Sequence, residues 1–400
     1  MRILLASHYA LPHLGGIEVA VDAVARELAA AGHEVCHVAS AARRAGEGED
    51  GPPGERLPPT PAERLPPPPG YRIVRVPALN AAEARLGVPY PLFAPGLARV
   101  LRREVARADV VHAHGVLYQS AALALWLARR APHAPVRAAT EHVGHVDYAS
   151  PLLDGVQRLA FATLGRAAAR SAEGIVVLNG KVEAELRALA PAAEVVHIHN
   201  GVDGTRYRPP APGERAALRA RLGWDDRPRV LFVGRLVAKK GLEHALAAAG
   251  VAAGAWELVV AGPGKPPPHP TGAARLLGAV APHAVAELYR AADAFLLPSR
   301  GEGFPITAQE AMASGLPVVL ADEPGYAPHV DGAGRGVRLA PTDPALLAAA
   351  VAAALTDPEA GDLAAVHARR AFSWARAAGE HEALWERLRA RRRAPGRSLA

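Results

Sequence analysis

The sequence predicts an α/β protein with two domains, each built around a doubly wound parallel sheet. Its 400 residues suffice for two domains of ordinary size, and half of them are apolar. Short apolar runs alternate with Ala-rich stretches of helical period, which is the pattern of repeated β-α units. This pattern pauses after residue 205 and restarts at Arg229, so the chain is expected to divide between those positions.

The N-terminal residues predict one β-α-β unit, the building block of a parallel sheet. Residues Arg2 to Ala6 form an apolar run that predicts a strand, and a turn with Gly15 and Gly16 follows. Apolar residues at helical spacing then predict a helix closed by Gly32, with a second strand from His33 to Ala39. The helical positions are Ile17, Ala20, Val21, Val24 and Leu28.

Further β-rich runs continue this alternation in both halves. In the first domain, expected over 1–205, they are Asp109–His114, Val136–His142, Gly174–Leu178 and Val195–His199. In the second domain, expected over 229–372, they are Val230–Val233, Glu257–Ala261, Ala294–Leu297 and Pro317–Ala321. Residues 206–228 are expected to form a polar linker, 46–70 a flexible Pro-rich surface loop, and 373–400 a helix with a basic tail.

The composition of the chain indicates in which cellular compartment the protein is expected and which classes of ligand it could bind. A single cysteine, Cys36, excludes an internal disulfide framework and fits a reducing compartment. The N-terminus has no signal-peptide pattern, and no apolar stretch approaches the roughly 20 residues of a membrane span, so a cytoplasmic protein is expected. The net charge of +7 suits anionic ligands, and no nucleic-acid-binding motif accompanies it. The basic tail after Trp374 predicts either a solvated helix end or contact with anionic lipid at the inner face of a membrane.

Candidate ligand-binding residues follow the strands, because open α/β sheets bind ligands beyond the carboxyl ends of their strands. Gly15 and Gly16 open a helix, where backbone N–H groups could face a phosphate, although a plain tight turn explains two glycines equally well. Arg235 follows a buried strand, and Lys239 and Lys240 come shortly after it. Cations converging from one loop would stabilise a diphosphate leaving group.

The segment from Ser299 to Val319 carries the strongest local pattern. Pro305 suits the first turn of a helix and Gly315 its C-terminal cap, which predicts a helix from about Pro305 to Ser314. Glu302 precedes this helix and Glu310 projects from it. Their separation is too long for a shared proton or metal, so they are expected to accept hydrogen bonds from hydroxyl groups at two points of one ligand.

These residues resemble the retaining glycosyltransferases of the GT-B fold, group 1 or family 4, which carry a Glu, seven residues, Glu motif. The similarity runs from the first glycine turn to about Arg376 and is densest from Val230 to Asp322. The resemblance implies two Rossmann-like domains facing across a cleft, with Phe372-Ser-Trp374 leading into a helix that crosses back to the first domain. Two departures are visible: Gly262-Pro-Gly-Lys265 is shorter and less acidic than usual, and Phe304-Pro305 replaces the commoner Phe-Gly.

The resemblance also implies roles for individual residues. It assigns a donor-sugar hydroxyl to Glu302, the ribose to Glu310, and the diphosphate to Arg235 and Lys240. It places Gly16, beside Gly15, at a phosphate and His142 near the donor sugar, with Gly303, Phe304, Pro305 and Ile306 lining the donor site. The implied reaction is metal-independent transfer from a nucleotide-diphosphate sugar to a glycan, lipid-linked or small-molecule acceptor, by front-face attack and without a further cofactor.

Three alternatives remain open from the sequence. Two His-x-His pairs, His112 with His114 and His197 with His199, could bind a metal, but no third ligand stands at a telling spacing and packing is favoured. A sugar-nucleotide epimerase or hydrolase would use the same cleft and would turn over without an acceptor. A non-catalytic sugar-nucleotide-binding protein would bind without turnover.

Overall fold

The computed structural model describes residues 1–11, 13, 15–41, 70–80, 90–142, 144, 151–178, 180–266, 274–301 and 304–393. They form two compact units: Met1–Ile198 with Trp374–Ala400, and His199–Ser373. Apart from Gly70, the loop predicted over 46–70 lies outside the described residues. Within the described ranges, no helix combines the length and the apolar content needed to cross a membrane.

The first unit is built on a seven-stranded parallel sheet in the order β3-β2-β1-β6-β7-β8-β9. The strand order reverses direction beside β1, and such switch points are where open α/β sheets bind ligands. A short antiparallel pair, β4 with β5, lies apart from this sheet. The strands are β1 (Arg2–Ala6), β2 (Glu34–Ser40), β3 (Tyr71–Val76), β4 (Ala78–Leu79), β5 (Leu92–Phe93), β6 (Val110–His114), β7 (Val136–Glu141), β8 (Gly174–Val177) and β9 (Glu194–His197).

Helices cover the sheet of the first unit. The central strands are buried because helices cover both faces of a parallel sheet, and Ile3 to Ala6 of β1 are all at most 2% exposed. The helices are α1 (Gly16–Ala30), α2 (Gly96–Val105), α3 (Gln119–Arg130), α4 (Pro151–Ala160), which continues through the π-helical turn Phe161–Gly165 into α5 (Arg166–Ser171), and α6 (Gly180–Leu189).

The C-terminal helix also packs on the first unit. This helix, α14 (Trp374–Arg393), buries Leu384, Trp385 and Leu388 in the same apolar cluster as Ile3 and Leu5 of β1. Its last turns are held by ion pairs, which involve several cations of the basic tail. Arg387 and Arg391 contact Glu194 at 3.1 and 2.8 Å, and Arg392 contacts Glu173.

The second unit holds a six-stranded parallel sheet in the order β12-β11-β10-β13-β14-β15. This is the strand order of a doubly wound nucleotide-binding fold. The strands are β10 (Arg229–Val233), β11 (Glu257–Ala261), β12 (Ala274–Gly278), β13 (Ala294–Leu297), β14 (Val318–Ala321) and β15 (Val337–Ala340). The helices are α7 (Glu214–Leu222), α8 (Leu242–Val251), α9 (Pro282–Ala291), α10 (Ile306–Ala313), α11 (Ala327–Val330), α12 (Pro344–Thr356) and α13 (Ala360–Ala371).

The structure differs from the sequence-based expectations at several points. The segment 206–228, expected as a linker, contains α7 and belongs to the second unit. Strands β3, β12 and β15 had no counterpart among the predicted strands. The strand predicted over Val136–His142 ends at Glu141, so His142 lies just beyond the sheet.

Candidate functional site

Three loops of the second unit are joined by backbone hydrogen bonds at the carboxyl ends of β10, β11 and β13. The Leu236 N–H after β10 donates to the Pro263 carbonyl after β11 at 2.8 Å. The Arg300 N–H after β13 donates to the Lys239 carbonyl at 2.9 Å. The loop that carries the predicted diphosphate-binding cations therefore has a defined position beside the segment that leads into α10.

Two glycines allow these loops to approach so closely. Gly241 has φ +70°, and a Cβ there would lie 2.2 Å from the Pro298 carbonyl oxygen. Gly262 has φ +154°, and its Cβ would lie 1.8 Å from the Gly234 carbonyl oxygen. Only glycine fits both the backbone angle and the space at these positions.

The cations on this loop differ in their exposure. Arg235 is exposed, and no ion pair to its guanidinium is formed in the described part of the chain. Lys240 is half-buried in a 3₁₀ turn, Ala238–Lys240. A Cβ on Gly234 would lie 3.6 Å from Lys240 Cδ, so the lysine stem runs along this glycine. Together the loop offers positive charge at a strand end, where an anionic ligand could bind.

The segment between β13 and α10 is anchored from several sides. Ser299 Oγ and Tyr326 Oη are 2.9 Å apart, and the Gly301 N–H donates to Glu323 Oε2 at 3.3 Å. The Arg300 guanidinium donates to Thr342 Oγ1. Glu302 and Gly303 lie outside the described residues.

The predicted donor-binding residues that open α10 are largely buried. The Phe304 ring stacks on the His329 ring with centroids 4.8 Å apart and planes 4° apart. Pro305 is buried and caps the helix in an extended conformation, and Ile306 is its first residue. The observed helix, Ile306–Ala313, falls within the predicted span, whose two end residues are the caps.

Glu310 is held by two tyrosines that the sequence did not indicate. Tyr289 Oη donates to Glu310 Oε2 at 3.1 Å and also to the Thr307 carbonyl at 3.1 Å. Tyr207 is the second tyrosine beside this carboxyl group, and its ring lies edge-on to that of Tyr289 with centroids 5.8 Å apart. No local pattern links these positions, because Tyr207 stands in the expected linker and Tyr289 in another helix.

Burial raises the pKa of Glu310 to about 7, although the two tyrosine hydrogen bonds and the charge of Arg206 act in the opposite direction. The residue as a whole is half-buried. Near neutral pH the group can therefore accept a hydrogen bond as a carboxylate or donate one as a carboxylic acid.

In the first unit, Gly15 and Gly16 stand at the N-terminus of α1. Gly15 is the N-cap residue, and a Cβ there would lie 2.2 Å from Glu18 Oε2. Glu18 is the third helical residue, the position from which a glutamate folds back over the cap. His8 Nε2 and His13 Nδ1 lie 3.4 and 3.7 Å from Glu18 Oε1. The sequence pattern Gly-Gly-Ile-Glu, with a glutamate at the third helical position, is the signal that could have indicated this carboxylate.

His142 follows β7 directly and is 9% exposed. Its Nε2 lies 3.1 Å from Nδ1 of His114, the last residue of the neighbouring strand β6. Glu141 accepts hydrogen bonds from the N–H groups of Val116 at 2.8 Å and Gly144 at 3.3 Å, which ties the loops after the two strands together. Burial lowers the pKa of His142 to about 3, so the ring is neutral at physiological pH.

The two His-x-His pairs have protein partners. His112 Nε2 lies 2.7 Å from Thr140 Oγ1, and His197 Nε2 lies 2.7 Å from Glu183 Oε2. Across the described ranges, no group of three or more His, Cys, Asp or Glu side chains is arranged to hold a metal ion.

Comparisons with known proteins place this architecture among sugar-transferring enzymes. The profile of the family described as Glycosyltransferase Family 4 matches residues 14–206, and that described as Glycosyl transferases group 1 matches 227–357. A D-inositol 3-phosphate glycosyltransferase from Xylanimonas cellulosilytica is 32% identical over 70% of this chain and 73% of its own. A glycogen synthase from Mycobacterium tuberculosis is 32% identical over 67% of this chain and 66%, just under two thirds, of its own length.

Solved structures resemble the whole described fold. An Anabaena protein crystallised with UDP superimposes with a TM-score of 0.68 over 97% of this chain and 100% of its own, at 17% identity. A sucrose-phosphate synthase from Thermosynechococcus elongatus gives a TM-score of 0.66 over 98% and 100%, at 21% identity. At this level of identity the similarity establishes the fold, which is the two-domain, Rossmann-like GT-B fold.

Proposed function

Because this chain belongs to the group 1, family 4 glycosyltransferases, we propose that it transfers a glycosyl group from a nucleotide-diphosphate sugar to an acceptor hydroxyl. We further propose that the reaction retains the anomeric configuration and needs no metal ion. The observation that carries the proposal is the edge of the second unit's sheet at the carboxyl ends of β10, β11 and β13. There a loop with Arg235 and Lys240 is bonded to the segment that leads into α10 and Glu310.

The cationic loop is proposed to bind the donor diphosphate. As the bond between the sugar and the phosphate breaks, negative charge grows on the leaving group, and Arg235 and Lys240 would stabilise it. The backbone N–H groups at the start of α10 add partial positive charge on the same side of the sheet.

The carboxyl groups are proposed to bind hydroxyl groups of the donor. Glu310 would take the ribose, because the hydrogen bond from Tyr289 Oη fixes the orientation of its carboxyl group. Glu302 would take a hydroxyl of the sugar, a role that rests on the family resemblance. Gly303, Phe304, Pro305 and Ile306 would form the adjoining wall of the donor site.

In the first unit, the resemblance assigns His142 to the sugar and the turn at Gly15 and Gly16 to a phosphate. His142 is neutral and only slightly exposed, which suits a hydrogen bond to an uncharged sugar. The Glu18 carboxylate lies against Gly15, so a phosphate at this turn would require that carboxylate to move or to be protonated.

The proposed chemical step balances without a protein nucleophile. The acceptor oxygen bonds to the anomeric carbon on the face from which the phosphate departs, and the bond from that carbon to the phosphate oxygen breaks. The acceptor proton passes to the departing phosphate oxygen. The protein supplies alignment and charge stabilisation.

The test is release of nucleoside diphosphate from a panel of nucleotide sugars with and without an acceptor. The names of the relatives suggest glycogen and D-inositol 3-phosphate as first acceptors, and lipid-linked sugars extend the panel. We expect acceptor-dependent release, a product of the same anomeric configuration by NMR, and the same rate with a chelator present.

Each rival predicts a different result in this assay. Acceptor-independent release of sugar, or an epimerised donor, would support a hydrolase or an epimerase. Donor binding without turnover on any acceptor would support a binding protein. An inverted product would contradict retention, and loss of the rate on chelation would contradict metal independence.

A further inference from the structure

His112, a buried histidine of the first unit, has a protonation state that its partners fix. Trp385 Nε1 lies 3.1 Å from His112 Nδ1, and an indole N–H can only donate. His112 Nδ1 is therefore the acceptor, and the ring proton resides on Nε2. That proton is donated to Thr140 Oγ1 at 2.7 Å. Both nitrogens of His112 are thus satisfied, and this ring serves the packing of α14 against the sheet.

His114, two residues along the same strand, is bonded differently. Its Nδ1 lies 3.1 Å from His142 Nε2, and its Nε2 is buried without a hydrogen-bond partner among the residues that the structure describes. A buried N–H group without a partner is rarer than a buried lone pair without one. The ring proton of His114 therefore belongs on Nδ1, from which it is donated to His142 Nε2.

This assignment fixes the proton of His142 as well. Burial holds the pKa of His114 well below its ordinary value and lowers that of His142 to about 3, so each neutral ring carries one proton. Because His142 Nε2 accepts from His114, the proton of His142 is on Nδ1. In the described part of the chain, no hydrogen bond to His142 Nδ1 is formed, which leaves this N–H for a ligand.

We propose that His114 is a positioning residue that holds His142 as the Nδ1–H tautomer. His142 then presents an N–H donor, and not a hydrogen-bond acceptor, to a hydroxyl oxygen of the bound sugar. The role toward sugar rests on the proposed function, whereas the tautomer rests on the hydrogen bonds and on the neutral state of the two rings. Glu141 supports the arrangement, because it ties the loop after β6 to the loop after β7, on which His142 stands.

The tautomer is tested by NMR on protein labelled with ¹⁵N in histidine, with His142 signals assigned from a His142→Asn variant. We expect His142 Nε2 to resonate as an unprotonated nitrogen and Nδ1 as a protonated one. In His114→Leu this preference is lost, whereas His114→Asn, whose amide nitrogen can replace Nδ1, retains it. A protonated Nε2 in the native protein, or an unchanged His142 in His114→Leu, would overturn the proposal.

The role is tested by kinetics with the same variants. Because a misplaced contact to the reacting sugar can cost on the order of 100-fold in rate, we expect kcat to fall roughly 10- to 100-fold in His114→Leu with little change in the KM for the donor. His114→Asn should recover most of the rate. His112→Leu is the matched control, since it is equally buried on the same strand and should lower stability while it preserves kcat.

A double variant separates positioning from packing. If His114 acts through His142, the kcat of His114→Leu/His142→Ala should equal that of His142→Ala alone. Equal kcat losses in His112→Leu and His114→Leu, or additive losses in the double variant, would refute the positioning role. If the native protein turns over no donor, the proposed function fails, while the NMR result still decides the tautomer.

Discussion

Burial sets the protonation states of two side chains that we assign to the donor, Glu310 and His142. In Glu310 it raises the pKa to about 7, and in His142 it lowers the pKa to about 3. In both cases burial disfavours the charged form, which leaves His142 neutral near pH 7 and Glu310 present in both its neutral and its charged form. Both groups therefore suit hydrogen bonds to hydroxyl groups better than they suit ion pairs.

Glu310 should make stability depend on pH. Its pKa rises from an ordinary 4.5 to about 7 on folding, so the folded state holds the proton more tightly. The resulting contribution to the free energy of unfolding is fully present below pH 4.5 and is lost as the pH rises through 7. The change amounts to something on the order of 3 kcal/mol. Urea denaturation at several pH values should show that the native protein loses stability relative to Glu310→Gln as the pH rises from 4.5 to above 7. Glu359→Gln, an exposed control, should keep the native pH dependence, and parallel curves for native and Glu310→Gln would contradict the assignment.

Arg235 and Lys240, which we propose bind the donor diphosphate, should affect turnover more than folding. Removal of one group that stabilises developing charge costs on the order of 100- to 1000-fold in kcat, and we expect losses in this range for Arg235→Ala and Lys240→Ala. Arg335, whose side chain is 59% exposed and pairs with Glu359, provides a control on the same unit. The measurement is kcat for all three variants. Equal losses of kcat in Arg335→Ala and Arg235→Ala would refute a specific role for Arg235.

At the scale of elements, the loops after β10, β11 and β13 form one bonded assembly. Two backbone hydrogen bonds join them, and the tight contacts at Gly241 and Gly262 leave no room for a side chain. These backbone contacts fix the loop that carries the cations beside the segment Ser299–Gly301, which side-chain hydrogen bonds also anchor. Such preorganisation reduces the ordering that ligand binding would otherwise require.

Gly241 should therefore resist substitution. In Gly241→Ala the Cβ would meet the Pro298 carbonyl and the φ of +70° would be strained, so we expect a loss of about 2 kcal/mol or more together with weaker donor binding. Gly250→Ala is the matched control, since that glycine lies in α8 with no atom within 4 Å of the added Cβ. It should be neutral or slightly stabilising. Denaturation and donor titration measure both effects, and similar results for the two variants would contradict the steric argument.

At the scale of the whole molecule, the first unit is completed by the last helix of the chain. Trp385 is 1% exposed and shares a core cluster with residues of β1 and α1, while the intervening residues 199–373 form the second unit. The first unit therefore cannot complete its core until α14 has been synthesised.

Replacement of Trp385 should destabilise one unit selectively. Loss of a buried tryptophan costs about 3–5 kcal/mol, and in Trp385→Ala hydrogen exchange should accelerate across 1–198 and 374–393 but not across 199–373. Trp126→Ala, at a side chain that is 44% exposed on α3, should have little effect. Uniform acceleration in both units would contradict the division of the chain.

The sequence predicted the strands that are buried on both faces. For β1, β11 and β13 the predicted and observed bounds agree, because uninterrupted apolar runs have clear ends. Strands β3, β12 and β15 were missed: they lie at sheet edges, where partly exposed positions admit charged residues such as Arg72, Arg275 and Arg338. The apolar periodicity that reveals a central strand is absent there. The remaining edge strand, β9, was predicted from its short apolar run.

Only those residues of the candidate site that a local sequence pattern marks could be predicted. Strand ends and the helix start indicated Arg235, Lys240, His142 and Glu310, whose functional roles remain proposals. The partners that set their chemistry, Tyr207, Tyr289 and His114, come from other elements and are selected by tertiary packing. No spacing along the chain encodes such contacts.

The most direct test of the central claim is the thermal stability of the native protein with UDP-, GDP-, ADP- and TDP-sugars, repeated with Glu310→Ala and with Glu359→Ala as a control. A ligand at about 100 times its Kd adds about 2.7 kcal/mol of stability. We expect the sugars of one nucleotide to stabilise the native protein and Glu359→Ala but not Glu310→Ala. No stabilisation by any donor, or equal stabilisation of Glu310→Ala, would contradict a nucleotide-sugar site at Glu310.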